Sequence, residues 1–344
     1  MSNIINDKMK AVVYQGKEQI SIQEVAIPEL TEGEVLIKVH YAGICGSDLS
    51  IYSGKHPRAK APLIMGHEFT GEVVKTCLPD GAKIKVGDRV TVYPLISCGR
   101  CQPCLTGNGH VCRSLKLVGI DCDGGFAEYV KVDADKVFKI PDNMAMDVAC
   151  LIEPLAVAVH AVRKSTLKAG DTAVVIGGGP IGLLTAMTAR YAGASNVIIC
   201  EVSPTRIKLA KELGFTVLNS ANNPLEEVMA LTDNNGADVV FEAAGAAPTA
   251  LLATQLVKIT GEIVVVGVFK EATPVDLQAV NFRELKMIGV RVYTPKDYQV
   301  ALEMLRNDES IAKVISHRIK FNEAQRAIDL MIQAENSMKL LLHP

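Results

Sequence analysis

Apolar residues in the first part of the chain occur in short, β-branched runs that end at glycine or proline. Such runs occupy residues 11–14, 35–39 and 89–92. Short apolar runs that alternate with turn residues are typical of β-strands rather than helices. The pattern therefore predicts a mostly β domain over residues 1–152.

The pattern changes at Glu153 and Pro154. A proline suits the first turn of a helix, and the apolar residues 155–162 continue that helix. Farther along, apolar strands alternate with helical segments, which is typical of a parallel sheet with right-handed crossovers. We therefore expect a doubly wound α/β domain over residues 153–292. Its strands are predicted at residues 172–176, 196–200, 238–241, 262–266 and 285–290.

The last part of the chain, residues 293–344, is predicted to return to the first domain. Residues 298–305 and 324–332 have the apolar spacing of helices, and residues 338–342 suit a closing strand. A chain of 344 residues is long enough for two domains.

Composition and charge exclude several kinds of partner. Apolar residues make up 49% of the chain and the formal net charge is -2, so no charged field would attract nucleic acid or an anionic membrane. No apolar run reaches the roughly 18–20 residues that cross a bilayer. The polar N-terminus lacks an export signal, so we expect a cytoplasmic protein with a small-molecule partner. Nine cysteines in such a chain indicate thiols or metal ligation rather than disulfides.

Four cysteines lie close together in a loop over about residues 95–115. Three glycines, Gly99, Gly107 and Gly109, let this chain segment curl around one centre. Zinc prefers four thiolates in a tetrahedron, and a site without an open position is structural. The spacing favours a structural zinc; an iron–sulfur cluster and unliganded core cysteines are the alternatives. The four residues are Cys98, Cys101, Cys104 and Cys112.

A second set of possible metal ligands consists of Cys45, His67 and Glu68, the Cys–His–Glu set. A catalytic zinc takes three protein ligands and keeps a position for water or a substrate oxygen. As a Lewis acid, the metal makes a bound alcohol lose its proton more easily, so that hydride can leave the carbon. Taken singly, Cys45 is typical of a buried thiol and His67 of a core histidine. Their joint occurrence upstream of the four-cysteine loop favours a metal site.

Several motifs follow one another in an order known from one enzyme family. They are Gly-Ile-Cys-Gly-Ser-Asp at 43–48, Gly-His-Glu at 66–68, the four-cysteine loop, Gly-Phe-Ala-Glu-Tyr at 125–129, Ile-Glu-Pro-Leu at 152–155 and a glycine-rich turn. From about Met9 to its end, the chain resembles the zinc-dependent medium-chain alcohol dehydrogenases. Within them it is most similar to the polyol branch, which contains sorbitol and galactitol-phosphate dehydrogenases. The resemblance implies a GroES-like, mostly β catalytic domain and a Rossmann coenzyme domain.

The resemblance also implies roles for individual residues. The Cys–His–Glu set would hold the catalytic zinc, with Glu153 beside it, ligating directly or through water. An acidic residue at a helix start is also commonly a cap or dipole partner, which is the alternative for Glu153. Many relatives carry a proton-relaying His where this chain has Ser50. We therefore expect Ser47 to help pass the alcohol proton to solvent.

The glycine-rich turn follows the predicted strand at residues 172–176 and precedes a helical run. Gly177 permits a tight turn, Gly179 lets the backbone approach a pyrophosphate, and Gly182 allows close packing of the helix. This context predicts a dinucleotide site. The whole motif is Gly177, Gly178, Gly179, Pro180, Ile181 and Gly182.

The next strand ends at Glu201, where an acidic side chain would bond the adenosine ribose hydroxyls. A carboxylate there would repel the extra phosphate of NADP, so NAD is the predicted cofactor. Arg206 and Lys208 keep NADP open as an alternative, although they also suit a solvated helix face. Small residues at the ends of the third and fourth strands are predicted to line the crevice for the nicotinamide half. They are represented by Ala244, Val266 and Val268.

Other chemically active side chains receive structural interpretations. The basic residues within 55–60 suit a phosphate clamp or a solvated loop, and the solvated loop is favoured. His160 lies on an apolar helix and is predicted to be packed rather than catalytic. Four cysteines are predicted to be small core residues: Cys77, Cys122, Cys150 and Cys200.

We therefore predict a zinc enzyme that transfers a hydride between NAD and the secondary hydroxyl of a polyol or sugar alcohol, phosphorylated or not. The product would be a ketose or ketone. Butanediol or threonine dehydrogenase is the alternative among enzymes, and a non-catalytic zinc and nucleotide binder is the alternative of another class. The resemblance further implies a homodimer or homotetramer, with residues 290–293 as a candidate edge strand.

Overall fold

The structure is a computed structural model that describes residues 7–334 and 337–344. The chain divides into two compact units, of which the first combines Met1–Glu153 with Leu302–Pro344 and the second is Pro154–Ala301. Within the described ranges, no helix has the length and hydropathy that a membrane span requires.

Strands and helices are numbered here in chain order. The strands are β1 (Lys8–Gly16), β2 (Gln19–Ala26), β3 (Glu34–Gly43), β4 (Leu63–Ile64), β5 (Glu68–Thr76), β6 (Arg89–Val92), β7 (Leu95–Ile96), β8 (Lys116–Leu117), β9 (Tyr129–Asp133), β10 (Val137–Lys139), β11 (Thr172–Ile176), β12 (Asn196–Glu201), β13 (Thr216–Asn219), β14 (Ala237–Glu242), β15 (Val257–Val265), β16 (Lys286–Gly289), β17 (Ile315–Lys320) and β18 (Lys339–His343). The helices are α1 (Gly46–Tyr52), α2 (Gln102–Leu105), α3 (Met146–Ala149), α4 (Ile152–Lys164), α5 (Pro180–Tyr191), α6 (Pro204–Glu212), α7 (Pro224–Leu231), α8 (Ala247–Leu256), α9 (Leu277–Phe282), α10 (Pro295–Asn307) and α11 (Ala324–Gln333).

The first unit is built mainly from antiparallel strands. Its seven-stranded sheet has the order β10-β6-β5-β3-β18-β17, and β9 also pairs with β3. A three-stranded sheet, β2-β1-β4, and the pair β7-β8 complete the described strands of this unit. Apolar side chains such as Ile37, Phe69 and Phe126 are fully buried; each stabilises the unit by about 1.5–3 kcal/mol relative to an exposed position.

The C-terminal strand β18 lies between β3 and the edge strand β17 of this sheet. It runs parallel to β17 and antiparallel to β3, with Leu341 opposite Gly43. The backbone N–H of Ile44 donates to the carbonyl of Leu340 (2.9 Å). The first residue of β18, Lys339, is thereby held next to Ile44, the residue between the end of β3 and Cys45.

The second unit contains a six-stranded parallel sheet of order β13-β12-β11-β14-β15-β16. Its strands are buried apolar runs such as β11 and β12, as expected when helices cover both faces of a parallel sheet. The order reverses between β11 and β14, because β11 pairs with both β12 and β14. Ligands of such sheets bind at this switch point, outside the carboxyl ends of the strands. The α/β fold class is as predicted.

Two details of the predicted strand pattern are wrong. The sheet includes β13, which was not predicted because Leu218 is its one buried side chain and no apolar run marks it. Ala244 consequently follows the fourth strand and Val266 the fifth, rather than the third and fourth. Residues 290–293 are not a strand, because β16 ends at Gly289 and Val292 has a left-handed φ of 45°.

His160 is packed inside the second unit, as predicted. Its Nδ1 lies 2.7 Å from Oδ2 of Asp297, and Arg163 pairs with the other carboxylate oxygen. The backbone N–H of Thr294 also donates to Asp297 (2.8 Å). Burial would raise the pKa of Asp297, but the hydrogen bonds from His160 and Thr294 outweigh it and lower the pKa well below its usual value. This cluster joins α4 to the start of α10.

Candidate metal and cofactor sites

The four cysteines of the loop at 98–112 converge on one point. One sulfur from each lies within 4.8 Å of the other three. The Sγ atoms of Cys101 and Cys104 are 3.4 Å apart, those of Cys101 and Cys112 are 3.7 Å apart, and those of Cys98 and Cys104 are 4.0 Å apart. Four thiolates bound about 2.3 Å from a tetrahedral zinc would be separated by about 3.8 Å. The sulfur positions fit that ion.

Backbone hydrogen bonds prepare part of this loop for metal binding. The backbone of Arg100 and Cys101 lowers the pKa of Cys98 to about 6. Burial and the neighbouring thiols, by contrast, raise the pKa of Cys104 to about 11. Since zinc binds thiolates, the loop must release protons when it takes up the metal. In α2, Pro103 adjoins Cys104 and suits the first turn of this short helix.

The Cys–His–Glu set comes from separate segments that the sheet brings together. Cys45 lies directly before α1, and Glu68 is the first residue of β5, directly after His67. A sulfur, a ring nitrogen and a carboxylate oxygen from these residues lie within 4.8 Å of one another. His67 and Glu68 are buried, whereas Cys45 is half-buried. A mixed set with one partly exposed ligand fits a zinc that keeps a position open for substrate.

Asp48 lies behind His67 and was not predicted as a site residue. Its carboxylate accepts a hydrogen bond from the backbone N–H of Cys45 (2.8 Å), and its other oxygen lies 4.0 Å from Nδ1 of His67. Complete burial raises the pKa of Asp48, opposed by the charge of His67. At 4.0 Å this oxygen makes no hydrogen bond to the ring, so Asp48 acts on His67 through its charge, which raises the pKa of the imidazole. The Gly-Ser-Asp triplet after Cys45 was the available signal.

Lys339 is the second site residue that sequence reasoning missed. Its ammonium group pairs with the carboxylate of Glu68 and donates to the carbonyl of Ile44 (3.0 Å). Both charged side chains are almost fully buried, with exposures of 4% and 1%. Burial would lower the pKa of Lys339, but the charges of Glu68 and Cys45 raise it above its usual value. A lysine at the start of the apolar run 338–342 was the available signal.

A proton shared between Cys45 and His67 would have to leave when a metal binds. Burial of His67 opposes its charged form, but the hydrogen bond to Cys45 and the charges of Cys45, Asp48 and Glu153 raise its pKa well above 6.5. The donor set thus holds one imidazole proton more tightly than an ordinary histidine does. Zinc is the kind of cation that would replace it.

Glu153 and Ser47 lie at the edge of this set. Glu153 is buried at the start of α4 and contributes to the electrostatic field at His67 and Lys339. It is not one of the three residues whose ligand atoms lie within 4.8 Å of one another. The hydroxyl oxygen of Ser47, on α1, is buried and has no hydrogen-bond partner among the described residues.

The glycine-rich turn has the shape that a dinucleotide requires. Gly177 has a left-handed φ of 98°, and a Cβ on Gly182 would lie 1.8 Å from the carbonyl oxygen of Gly177. The turn leads into α5, which begins at Pro180. A Cβ on Gly179 would come no nearer than 3.5 Å to any other group, so the backbone there is open to a bound pyrophosphate. The helix N-terminus supplies N–H groups and a favourable dipole. Ile181 is half-buried in the first turn of this helix.

Glu201 closes the adenosine side of this turn. One carboxylate oxygen accepts the backbone N–H of Gly178 (2.7 Å), and the other accepts those of Val202 and Ser203 (2.6 and 2.9 Å). Arg206 lies 3.8 Å away, a loose ion pair. The carboxylate is therefore fixed at the end of β12, where Rossmann folds bind ribose.

The remaining predicted cofactor residues lie at the carboxyl ends of β14 and β15. Ala244 and Val268 are exposed, and Val266 is half-buried. The backbone of Ala244 lies against the glycine-rich turn, because a Cβ on Gly177 would lie 3.0 Å from its nitrogen. The two turns thus form adjacent walls of one crevice.

Three structural interpretations from the sequence need correction. Cys77 and Cys122 are exposed rather than packed in the core. Cys77 directly follows the last residue of β5, and Cys122 lies in a loop. In the basic loop at 55–60, Arg58 is not a freely solvated charge, since it pairs with Asp121 (3.1 Å) and donates to the carbonyl of Leu115 (2.8 Å). Cys150 and Cys200 are buried as predicted.

Known proteins are similar to this chain over nearly its whole length. Residues 31–142 match the alcohol dehydrogenase GroES-like domain, and residues 180–307 match the zinc-binding dehydrogenase family. L-threonine 3-dehydrogenase of Bacillus subtilis (strain 168) is 37% identical over 344 residues, which cover 97% of this chain and 99% of the relative. Sorbitol dehydrogenase of the same organism is 32% identical over 357 residues, which cover 100% of this chain and 99% of the relative. An alcohol dehydrogenase from Escherichia coli CFT073, solved in complex with NADH, shares 33% identity with a TM-score of 0.91 over 98% of this chain and 100% of that chain.

The fold and the two donor sets define a zinc-dependent oxidoreductase that uses a nicotinamide dinucleotide. The chain belongs to the zinc-dependent medium-chain alcohol dehydrogenase superfamily. The predicted family, fold class and cofactor types are thereby confirmed.

Proposed function

We propose that the protein oxidises a secondary hydroxyl of a polyol or sugar alcohol with NAD. The observation that carries the proposal is the mixed donor set of Cys45, His67 and Glu68 with its buried supports. Such a set suits a zinc that binds a hydroxyl oxygen, and the likeness to sorbitol dehydrogenase supports a polyhydroxylated substrate. The reaction removes a hydride from the carbon and a proton from the oxygen, which gives a ketose or ketone and NADH.

The residues around the donor set have distinct roles in this proposal. Cys45, His67 and Glu68 hold the zinc, and Glu153 adds negative charge beside it. When bound, the metal polarises the substrate oxygen and makes its proton more acidic. Ser47 receives that proton through its unbonded hydroxyl and passes it towards solvent. The four-cysteine loop holds a second, structural zinc that takes no part in the reaction.

NAD is the proposed cofactor rather than NADP. The carboxylate of Glu201 is buried and fixed by three backbone N–H groups, so it cannot turn away from a 2′-phosphate. We expect kcat/KM for NAD to exceed that for NADP by at least about tenfold. A Glu201→Ala variant that keeps Arg206 of α6 should narrow the preference for NAD. The control Lys208→Ala, on the exposed side of α6, should leave that preference unchanged.

A substrate panel tests the proposal directly. NADH formation is followed by absorbance with sugar alcohols, phosphorylated polyols, butanediol and threonine, using zinc-loaded wild type and the Cys45→Ser variant. We expect turnover of a polyol that is lost in the variant. Preferred turnover of threonine or butanediol would replace the polyol assignment. Binding of NAD and zinc without oxidation of any substrate would support a non-catalytic binder.

The proposed assembly is a homodimer formed at the edge of the second unit's sheet. The proposed interface is at β16, one of the sheet's two edge strands. Apolar side chains near β16 are exposed: Phe282 by 76% and Leu277 by 72%. Exposed apolar side chains around an unpaired strand edge are typical of subunit interfaces. Light scattering after size-exclusion chromatography should give twice the chain mass, and Phe282→Glu should reduce it to that of one chain. A single-chain mass for wild type would contradict the dimer.

A further inference from the structure

Glu242, the last residue of β14, accepts three hydrogen bonds through one oxygen of its carboxylate. Its Oε1 accepts the backbone N–H groups of Ala244 (3.0 Å) and Gly245 (2.9 Å) and the hydroxyl of Thr249 (2.7 Å). The side chain is only 1% exposed. These three donors shape the turn between β14 and α8.

The backbone of the same residue shapes the next turn. The carbonyl of Glu242 accepts the N–H groups of Val266 and Gly267, both at 2.8 Å. A Cβ on Gly267 would lie 2.6 Å from Oε2 of Glu242 and 2.4 Å from the backbone nitrogen of Gly245. One residue therefore holds the two turns that carry Ala244 and Val266.

The second carboxylate oxygen has no obvious structural purpose. Oε2 is buried and has neither a hydrogen-bond partner nor an ion-pair partner among the residues that the structure describes. Burying a carboxylate without a cation lowers stability by several kcal/mol. Buried polar atoms without a partner are rare in native proteins, and each requires a structural or functional reason. Glu242 lies at the switch point of the sheet, next to the end of β11, where the dinucleotide binds.

We propose that Glu242 is a positioning residue of the cofactor site that also distinguishes the two redox states of the cofactor. It fixes the two turns that flank the nicotinamide half. Its buried charge attracts the oxidised ring, which is positive, and not the reduced ring, which is neutral. The inference rests on the proposed use of NAD. Repulsion between Glu242 and the diphosphate of the cofactor is the same for NAD and NADH. It therefore cancels from the ratio of their dissociation constants.

The test is the ratio of the dissociation constants for NAD and NADH, measured by calorimetric titration without any substrate. In Glu242→Gln, the amide oxygen can still accept the three hydrogen bonds while the charge is lost. We expect NAD to bind about tenfold more weakly, the effect of one buried charge on another within about 10 Å, and NADH to bind within about twofold of wild type. An unchanged ratio would overturn the redox discrimination.

A matched variant separates position from charge. Gly267→Ala keeps the carboxylate but pushes the two turns apart, so both dissociation constants should rise together by about tenfold with an unchanged ratio. Normal binding of both cofactors by this variant would overturn the positioning role. Its result also decides that role if Glu242→Gln fails to fold.

Glu262→Gln is the control for loss of a buried glutamate in this unit. Glu262 lies inside β15, is 1% exposed and bonds Thr166 through its carboxylate. The Glu262→Gln variant should leave the ratio of the dissociation constants for NAD and NADH unchanged. A shift of that ratio equal to the one in Glu242→Gln would contradict a specific role for Glu242. If wild type bound neither cofactor, the proposed function would fail together with this inference. Binding by wild type with an unaltered ratio in Glu242→Gln would overturn the redox discrimination alone.

Discussion

The two candidate zinc-ligand sets of the first unit are built in opposite ways. The four-cysteine loop takes all its ligands from residues 98–112, in a segment with two left-handed glycines, Gly99 and Gly107. The Cys–His–Glu set takes its ligands from two segments and is supported by Lys339 from the far end of the chain. One site is therefore local and the other is assembled by the sheet.

Their electrostatic surroundings differ as well. Thiols, backbone N–H groups and Ser114 surround the sulfurs of the loop. The Cys–His–Glu set is surrounded by buried charges, Asp48 and Lys339, and lies near Glu153. A closed cage of thiolates stabilises structure, whereas a mixed set among charges can bind and activate a substrate. Variants of each set should therefore affect different properties.

The largest expected effect is on activity, in the assembled set. His67→Asn removes the imidazole ligand, so turnover should fall by at least about 1000-fold, which corresponds to about 4 kcal/mol of transition-state stabilisation. The thermal midpoint should stay within a few degrees of wild type. Steady-state kinetics, zinc analysis and calorimetry measure the three quantities. Retained turnover with one zinc per chain would show that catalysis does not depend on this set.

The next effect is on stability, in the local set. Cys104→Ser opens the four-thiolate cage, so one zinc should be lost and the unfolding free energy should fall by about 4 kcal/mol. For a unit of this size, the thermal midpoint should drop by roughly 10 °C. The protein that remains folded should keep its turnover number. A stable variant that retains both zinc ions but is inactive would contradict the division of roles.

A smaller effect is expected from the cation that supports Glu68. Lys339→Met leaves that carboxylate buried without its partner, so the unfolding free energy should fall by about 3 kcal/mol. Adding Glu68→Gln should restore part of the loss. Denaturant unfolding of wild type, the single variant and the double variant gives these values.

The exposed ion pair between Lys139 and Asp88 is the control for this cation. Its N–O distance is 2.7 Å and the lysine is 47% exposed, so Lys139→Met should change stability by no more than about 1 kcal/mol. Equal losses for the two lysine variants would mean that burial of the pair at Glu68 has no special effect.

The smallest expected effect is a pH dependence of zinc affinity. Because the pKa of His67 is raised above 6.5, its proton stabilises the metal-free fold below that pH and is lost as the pH rises through the raised pKa. Between these values, zinc must displace the proton, so affinity at the Cys–His–Glu set should rise about tenfold per pH unit. Competition with a chelator in the Cys104→Ser variant measures this slope.

The same measurement in Cys45→Ser reports on the loop. Cys98, with its pKa lowered to about 6, is already a thiolate above that pH and should add no slope there. Cys104, with its pKa raised to about 11, must release its proton to zinc and should add a slope. A flat profile for the Cys–His–Glu set across the same range would show that zinc does not compete with the His67 proton.

Much of the fold could be predicted from residues that act on their near neighbours in the chain. Apolar runs predicted β3, β11 and β12 because burial on a sheet requires them. The short strand β13 was not predicted, since Leu218 alone is buried there. The edge strand predicted at residues 290–293 does not form, because Val292 has a left-handed φ, which no residue pattern indicates.

The candidate sites divide in the same way. The sequence by itself determined the four-cysteine loop and the glycine-rich turn, because ligands and backbone angles within a few residues depend on covalent spacing. Only the tertiary structure decided that Lys339 lies against Glu68, that Asp48 faces His67, and that Glu242 joins two turns. These groups meet through strand pairing between distant segments, and the chain order of residues does not specify which distant segments pair.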